Sequence, residues 1–250
     1  MKNLSLLFSI ITFLILNSCG IYVPTTVNTP LLKEKGQTAI SATFGSGFNG
    51  QFAKAIGNHY AILANSSFYS IENPGLVKRP YIQPHGFGYF NEIGGGYFTN
   101  HRKATYYEIF VGIGRNRVTT TVLTLDKPNN EYLNLKYNLK GNKIFLQPSL
   151  GWQGKNIEFI ISSRIGLLKY NVKMNELPDS VYKIDKLRNI DKNIFPVFEP
   201  AITLRAGGEK LKVQLQFGAS IDLGRNQFTE NSRANLSIGL FSKFPYKKKL

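Results

Sequence analysis

Leu211-Lys-Val-Gln-Leu-Gln-Phe-Gly-Ala-Ser-Ile-Asp-Leu223 is the stretch that decides the fold class. Leu211, Val213, Leu215, Phe217, Ala219, Ile221 and Leu223 alternate with Lys212, Gln214, Gln216, Gly218, Ser220 and Asp222. Side chains along a strand point to opposite faces in turn, so this stretch forms a strand with one apolar and one polar surface.

The same period recurs upstream and downstream. Ala234, Leu236, Ile238 and Leu240 alternate with Asn235, Ser237 and Gly239, and Tyr107, Ile109, Val111 and Ile113 with Glu108, Phe110, Gly112 and Gly114. Ile157, Phe159, Ile161, Ile165 and Leu167 oppose Glu158, Ser162, Arg164 and Gly166. After residue 20 no long stretch carries helical periodicity. Strands are expected near 36–44, 48–56, 59–69, 84–99, 103–120, 132–153, 156–172, 194–206, 210–223 and 232–244. Two of the longer runs are open to splitting, and the alternatives to ten strands are eight or twelve.

Connection lengths supply the topology. Gly57-Asn58, Asn100-His101, Gly154-Lys155 and Gly207-Gly208 read as tight hairpin turns, whereas Ser70–Gln83, Thr121–Glu131, Lys173–Asn193 and Gly224–Asn231 are long polar excursions. Short and long connections alternate, apart from the modest Gly45-Ser46-Gly47 link, so the tight turns gather at one end. Membrane barrels have this asymmetry, with short periplasmic turns and longer outer loops. The expected architecture is therefore all-β: one antiparallel up-and-down transmembrane barrel over residues 36–244.

The N-terminus points to export. A lone Lys2 and the apolar run Leu4–Leu16 have the shape of a secretory signal peptide over 1–18, too short to span a bilayer as a helix. Leu16-Asn17-Ser18-Cys19 resembles the bacterial lipobox, which implies that Cys19 becomes the mature N-terminus and carries acyl chains. Cys19 is the sole Cys, so the mature part has neither a disulfide nor thiolate chemistry. Residues 19–35, with Pro24 and Pro30, read as a lipidated end and an extended leash. With an even strand number and periplasmic tight turns, both ends of the barrel would be periplasmic. Cys19 would then sit in the inner leaflet with no threading of the chain.

The 31 basic and 15 acidic residues give a formal charge of +16. That charge favours membrane lipids, anionic headgroups in particular, as partners. Nucleic acid is a poor partner for a chain that leaves the cytoplasm. The basic tail, 245–250, fits the same picture.

Alternation alone does not separate a membrane barrel from a soluble lipocalin-like one with an apolar interior. Strands of nine to eleven residues or more are long enough to cross a bilayer at a tilt. Phe87, Tyr89, Tyr97, Phe98, Tyr106, Tyr107, Trp152 and Tyr170 bunch near strand ends as a girdle requires. The polar face carries Glu92, Glu108, Glu158 and Glu199 together with Arg164, Arg205 and Lys212. Inside a narrow barrel these seven would form a paired luminal network, because a buried charge is tolerable only when paired. Pro148 and Pro200 interrupt predicted strands, and bulges are the expected remedy.

Three segments resemble the small outer-membrane barrel lipoproteins of Bacteroidetes-type bacteria. They are Tyr22-Val-Pro-Thr-Thr-Val-Asn-Thr-Pro-Leu-Leu-Lys-Glu-Lys-Gly36, Ile144-Phe-Leu-Gln-Pro-Ser-Leu-Gly151 and Phe198-Glu-Pro-Ala-Ile-Thr-Leu-Arg205. The resemblance makes both prolines family features and implies no assigned activity. It also implies a periplasm-facing lipid anchor, since Gly20-Ile21-Tyr22 lacks the acidic signal that follows the Cys in surface-exported members.

Enzymatic chemistry is not expected. Small outer-membrane barrel enzymes need a Ser with a His base and an acidic orienter, and the only histidines, His59, His85 and His101, stand in isolation beside turns or at a strand start. No histidine pair or further Cys offers zinc ligands, and the oxygen-rich segment Asp179–Asp191 is a weak calcium candidate. Gly45-Ser46-Gly47 and Gly94-Gly95-Gly96 lack the phosphate-loop pattern. No cofactor is expected beyond the acyl chains on Cys19. The leading expectation is a non-enzymatic lipoprotein barrel with a structural or loop-mediated binding role, its loop partner unidentified. A narrow channel and a tethered soluble lipid carrier are the alternatives.

Overall fold

The computed structural model describes residues 23–71, 85–101, 104–126, 131–174, 192–224 and 233–245. The expected signal peptide, Cys19, the segment Asp179–Asp191 and most of the basic tail lie outside them. Ten strands follow in order: β1 (Thr38–Phe44), β2 (Phe48–Ala55), β3 (Tyr60–Ile71), β4 (His85–His101) and β5 (Thr105–Asp126). They continue with β6 (Glu131–Gln153), β7 (Ile157–Met174), β8 (Ile194–Gly207), β9 (Leu211–Asp222) and β10 (Arg233–Phe244). Each is antiparallel to its sequence neighbours, and β1 pairs with β10 to close the ring. The turns after β2, β4, β6 and β8 gather at one end, here the turn mouth. The connections after β3, β5, β7 and β9 gather at the opposite, loop mouth.

The excursion expected over Thr121–Glu131 is mostly strand. β5 runs on to Asp126 and β6 starts at Glu131, with Val122 opposite Leu135 and Leu125 opposite Tyr132. Thr is polar yet β-branched, so Thr119-Thr-Thr-Val-Leu-Thr-Leu125 suits a pleated strand better than a loop.

The prolines are absorbed without bulges. Between β6 and β7 the ladder skips from Leu146–Ile165 to Ser149–Ser162, and between β8 and β9 from Phe198–Ile221 to Ala201–Gly218. Each gap omits the same number of residues on both strands, so the register continues unchanged. Pro148 still faces Ile109, and Pro200 still faces Ser163. A proline can be paired on the side that does not need its missing N–H.

The wall's outer face is apolar. Leu211, Val213 and Leu215 are 54%, 51% and 41% exposed, and Ile93, Val111, Ile113, Ile144, Ile202, Leu236 and Ile238 extend the belt. An aliphatic side chain left in water instead of being buried forfeits about 1.5–3 kcal/mol, so this exterior matches lipid. The alternative of an enclosed apolar cavity does not hold. Outward aromatics form two rows: Phe44, Phe48 and Phe68 are cross-strand neighbours running to Tyr89 at the loop mouth. Tyr60, Tyr97, Tyr107 and Trp152 line the turn mouth, where Trp152 stacks on Phe159 at 5.7 Å. Phe98, Tyr106 and Tyr170, counted among the expected girdle residues, point inward and are buried.

Candidate functional site

The bore is filled, and part of the filling is the chain's own N-terminal segment. Val23–Leu32 is buried at every position. At one end Val23 packs with Tyr69, Phe90, Leu139, Tyr170 and Phe195 at the loop mouth. At the other, Leu31 packs with Tyr106 and Ile160 near the turn mouth, where the chain turns to enter β1. The segment is extended, as the sequence suggested, but it is threaded through the barrel. The expected leash outside the wall, with no threading, is overturned. The first and last described residues, Val23 and Pro245, stand at opposite mouths.

A lone extended strand inside a barrel has no partner strand, yet its backbone groups still need hydrogen bonds. Side chains of the wall supply them. Asn235 Nδ2 donates to the Pro24 carbonyl (3.2 Å), Gln51 Nε2 to that of Thr26 (2.6 Å) and Gln147 Nε2 to that of Asn28 (2.7 Å). Gln216 pairs with Val27 as a strand would: the Val27 N–H donates to its Oε1 (2.6 Å) and its Nε2 donates back to the Val27 carbonyl (2.9 Å). Arg205 Nη2 donates to the Thr29 carbonyl at 2.7 Å, and Lys243 Nζ to that of Leu31 at 3.0 Å. The Leu32 N–H donates to Glu108 Oε1 at 2.9 Å. These donors and acceptors come from β2, β5, β6, β8, β9 and β10, so the segment ties together strands far apart in the ring.

Side-chain contacts fix its depth. Thr26 Oγ1 lies 3.1 Å from Thr43 Oγ1 and 3.3 Å from Ser237 Oγ, and Asn28 Nδ2 donates to Asn65 Oδ1 at 2.8 Å. Leu31 has φ of 49°, a left-handed conformation that costs a residue with a Cβ roughly 1–2 kcal/mol. Its side chain fills the space over Gly151, where an added Cβ would come within 2.5 Å of Leu31 Cδ2. The exit bend is therefore held by close packing on a glycine.

All seven sequence-predicted luminal charges are buried inside the wall, and they fall into two groups. Nearer the loop mouth, Arg164 Nη1 binds Glu92 Oε1 at 2.7 Å, and Lys143 Nζ binds Glu199 Oε2 at 2.6 Å. Weaker crossed contacts link Lys143 to Glu92 (3.6 Å) and Arg164 Nε to Glu199 (3.5 Å). Asn65 Nδ2 also donates to Glu92 at 3.0 Å. The two acids and two bases balance. Nearer the turn mouth, Arg205 Nη1 binds Glu158 Oε2 at 3.1 Å, with Lys243 and Lys212 at 3.6 and 3.9 Å from Glu158 Oε1. Arg205 also lies over the Phe241 ring at 3.6 Å. With Glu108 this lower group has two acids to three bases.

Lys143 and Lys243 were missed from the sequence, although each was legible. Lys143 is in phase with Gly141, Phe145 and Gln147 against outward Ile144 and Leu146, and Lys243 with Ser237, Gly239 and Phe241. The threaded segment also had a signal: Val23–Leu32 contains no charged residue, unlike an ordinary solvated leash. Of the histidines, His59 sits in the turn after β2, stacked on Tyr97 with centroids 5.4 Å apart. His85 and His101 occupy opposite ends of β4. Among the described residues no three of His, Cys, Asp and Glu gather to hold a metal.

No family model matches the chain, and no curated protein is similar to it in sequence. Among solved structures it is similar to the translocator domain of the autotransporter NalP from Neisseria meningitidis. The match has 13% identity and a TM-score of 0.44, over 82% of this chain and 86% of that one. The barrel's bore remains the site to be explained from its own residues.

Proposed function

We propose that this protein is a non-enzymatic, self-plugged barrel of the bacterial outer membrane that holds its own N-terminal segment across the bilayer. The observation that carries this reading is the burial of Val23–Leu32 along the bore, with its carbonyls bonded in succession to wall side chains. The lipid-type exterior and the two aromatic rows support a membrane setting. With its bore filled, the barrel serves as a support. The lipobox-like Leu16–Cys19 adds the finer part of the proposal, a lipoprotein acylated on Cys19, and the Bacteroidetes-type resemblance is consistent with it.

The threading changes the side on which that lipid is placed. With the tight turns periplasmic, Val23 stands at the outer mouth, and Cys19 precedes it by four residues in the sequence. We therefore place the acylated end on the loop side, the side from which β3, β5, β7 and β9 are connected onward.

Two measurements test the reading. In planar lipid bilayers the full chain shows no steady conductance, whereas Gln147→Ala/Gln216→Ala, which loosens Asn28 and Val27, shows openings. Steady open-pore current from the unaltered chain would sink the plug. An epitope inserted after Gly20 is detected by antibody on intact cells, and detection only after permeabilisation would return the N-terminus to the periplasm.

A further inference from the structure

Among the described residues, all but one of the outward charges on the wall's strands are concentrated in one place. Arg115 and Arg117 on β5, Lys140 on β6 and Lys169 on β7 all face outward and are exposed. Their register makes two adjacent rows toward the loop mouth: Tyr89–Arg117–Lys140–Asn171 and Asn91–Arg115–Asn142–Lys169. Directly opposed residues on neighbouring strands have Cβ atoms about 4.5–5.5 Å apart, so the four cations share a patch two strand spacings wide. Among the described residues none of the four has an ion pair, and no Asp or Glu with a described side chain points outward from the strands.

The level of the patch is informative. The next row toward the turn mouth is Ile113–Ile144–Leu167, exposed and apolar, so the cations begin where the lipid-facing belt stops. Tyr89, in the same row as Arg117 and Lys140, continues the loop-mouth aromatic row, which marks the headgroup level of a girdle. Four like charges at neighbouring positions repel one another and gain nothing from the fold. Guanidinium groups are suited to two-pronged recognition of phosphate, and lysines add point charge.

We infer that Arg115, Arg117, Lys140 and Lys169 form a binding site for the headgroup phosphates of a lipid in the loop-side leaflet. The inference rests on the membrane reading above. An anionic lipid seated there has its acyl chains against Ile113, Ile144 and Leu167 and its phosphates between the two rows. Among the described strand residues the outward cation toward the turn mouth, Lys54, stands alone, so the strand cluster belongs to the loop-side leaflet.

The test uses the full chain purified in a neutral detergent, with heat-modifiable gel mobility confirming separately that the barrel has closed. Native mass spectrometry counts retained molecules of a bisphosphorylated glucosamine glycolipid, its dephosphorylated form with the same acyl chains, or inorganic phosphate. The expected result is retention of the phosphorylated lipid, weakened by added salt. Retention falls at least tenfold in the variant carrying R115Q, R117Q, K140Q and K169Q, and is unchanged in Lys54→Gln. Equal retention of the dephosphorylated lipid, displacement by millimolar inorganic phosphate, or an equal loss in Lys54→Gln would each overturn the site. The double variant R117Q/K140Q, expected to lose part of the retention, covers the case in which the quadruple variant does not close. A chain that lacks heat-modifiable mobility and is extracted without detergent counts against the membrane reading instead.

Discussion

The two charge groups in the bore use the same residue types for different ends. In the upper group Glu92, Lys143, Arg164 and Glu199 pair with one another across β4, β6, β7 and β8, and Arg164 Nη1 also comes within 3.5 Å of Thr25 Oγ1 of the threaded segment. In the lower group the cations outnumber the acids, and the surplus is turned toward backbone oxygen: Arg205 and Lys243 both donate to carbonyls of the segment. A balanced group braces the wall, whereas an unbalanced one grips what passes through it. A buried ion pair contributes little by existing but costs a great deal to break, so the two groups can be told apart by what fails when each is broken.

The largest effect is expected in the upper group. Arg164→Met leaves two buried carboxylates to Lys143 and lowers stability by about 3–5 kcal/mol, read as urea unfolding in micelles through the single Trp152, with the bore still sealed. Arg205→Met is milder in unfolding, about 2–3 kcal/mol, because Lys212 and Lys243 stay near Glu158; it removes two bonds to Thr29 and so produces channel openings. Lys243→Met is smaller again, about 1 kcal/mol, with brief openings as the Leu31 end loosens. If the Arg205 variant unfolds more readily than the Arg164 variant and its bore stays closed, the division between bracing and gripping is wrong.

The wall was legible because period-two alternation is a local property: each of Leu211, Val213 and Leu215 declares its face without reference to anything distant. The luminal acids and arginines followed from the same parity. The prolines misled in detail, since a missing N–H matters only on one side of a strand, and sequence does not show which side is spared. Thr121–Leu125 misled because polarity was weighed above β-branching. The threaded segment was beyond a local reading. Its partners Gln51, Gln147, Arg205, Gln216 and Lys243 lie on five separate strands, and only the closed ring brings them around one strand. Its lack of charge was visible, but pointed only to burial and not to where.

The continuity of that inner strand with β1 bears on assembly. The seam between β1 and β10 joins residues about as far apart as the chain permits, which makes it the slowest contact for a polymer to find. The inner strand already touches β2, β6, β8, β9 and β10, so it gathers the late strands around the early ones before the seam zips. The wall is wound on a core supplied by the segment that leads into it, and a chain lacking residues 23–32 is expected to refold from urea more slowly than the intact chain.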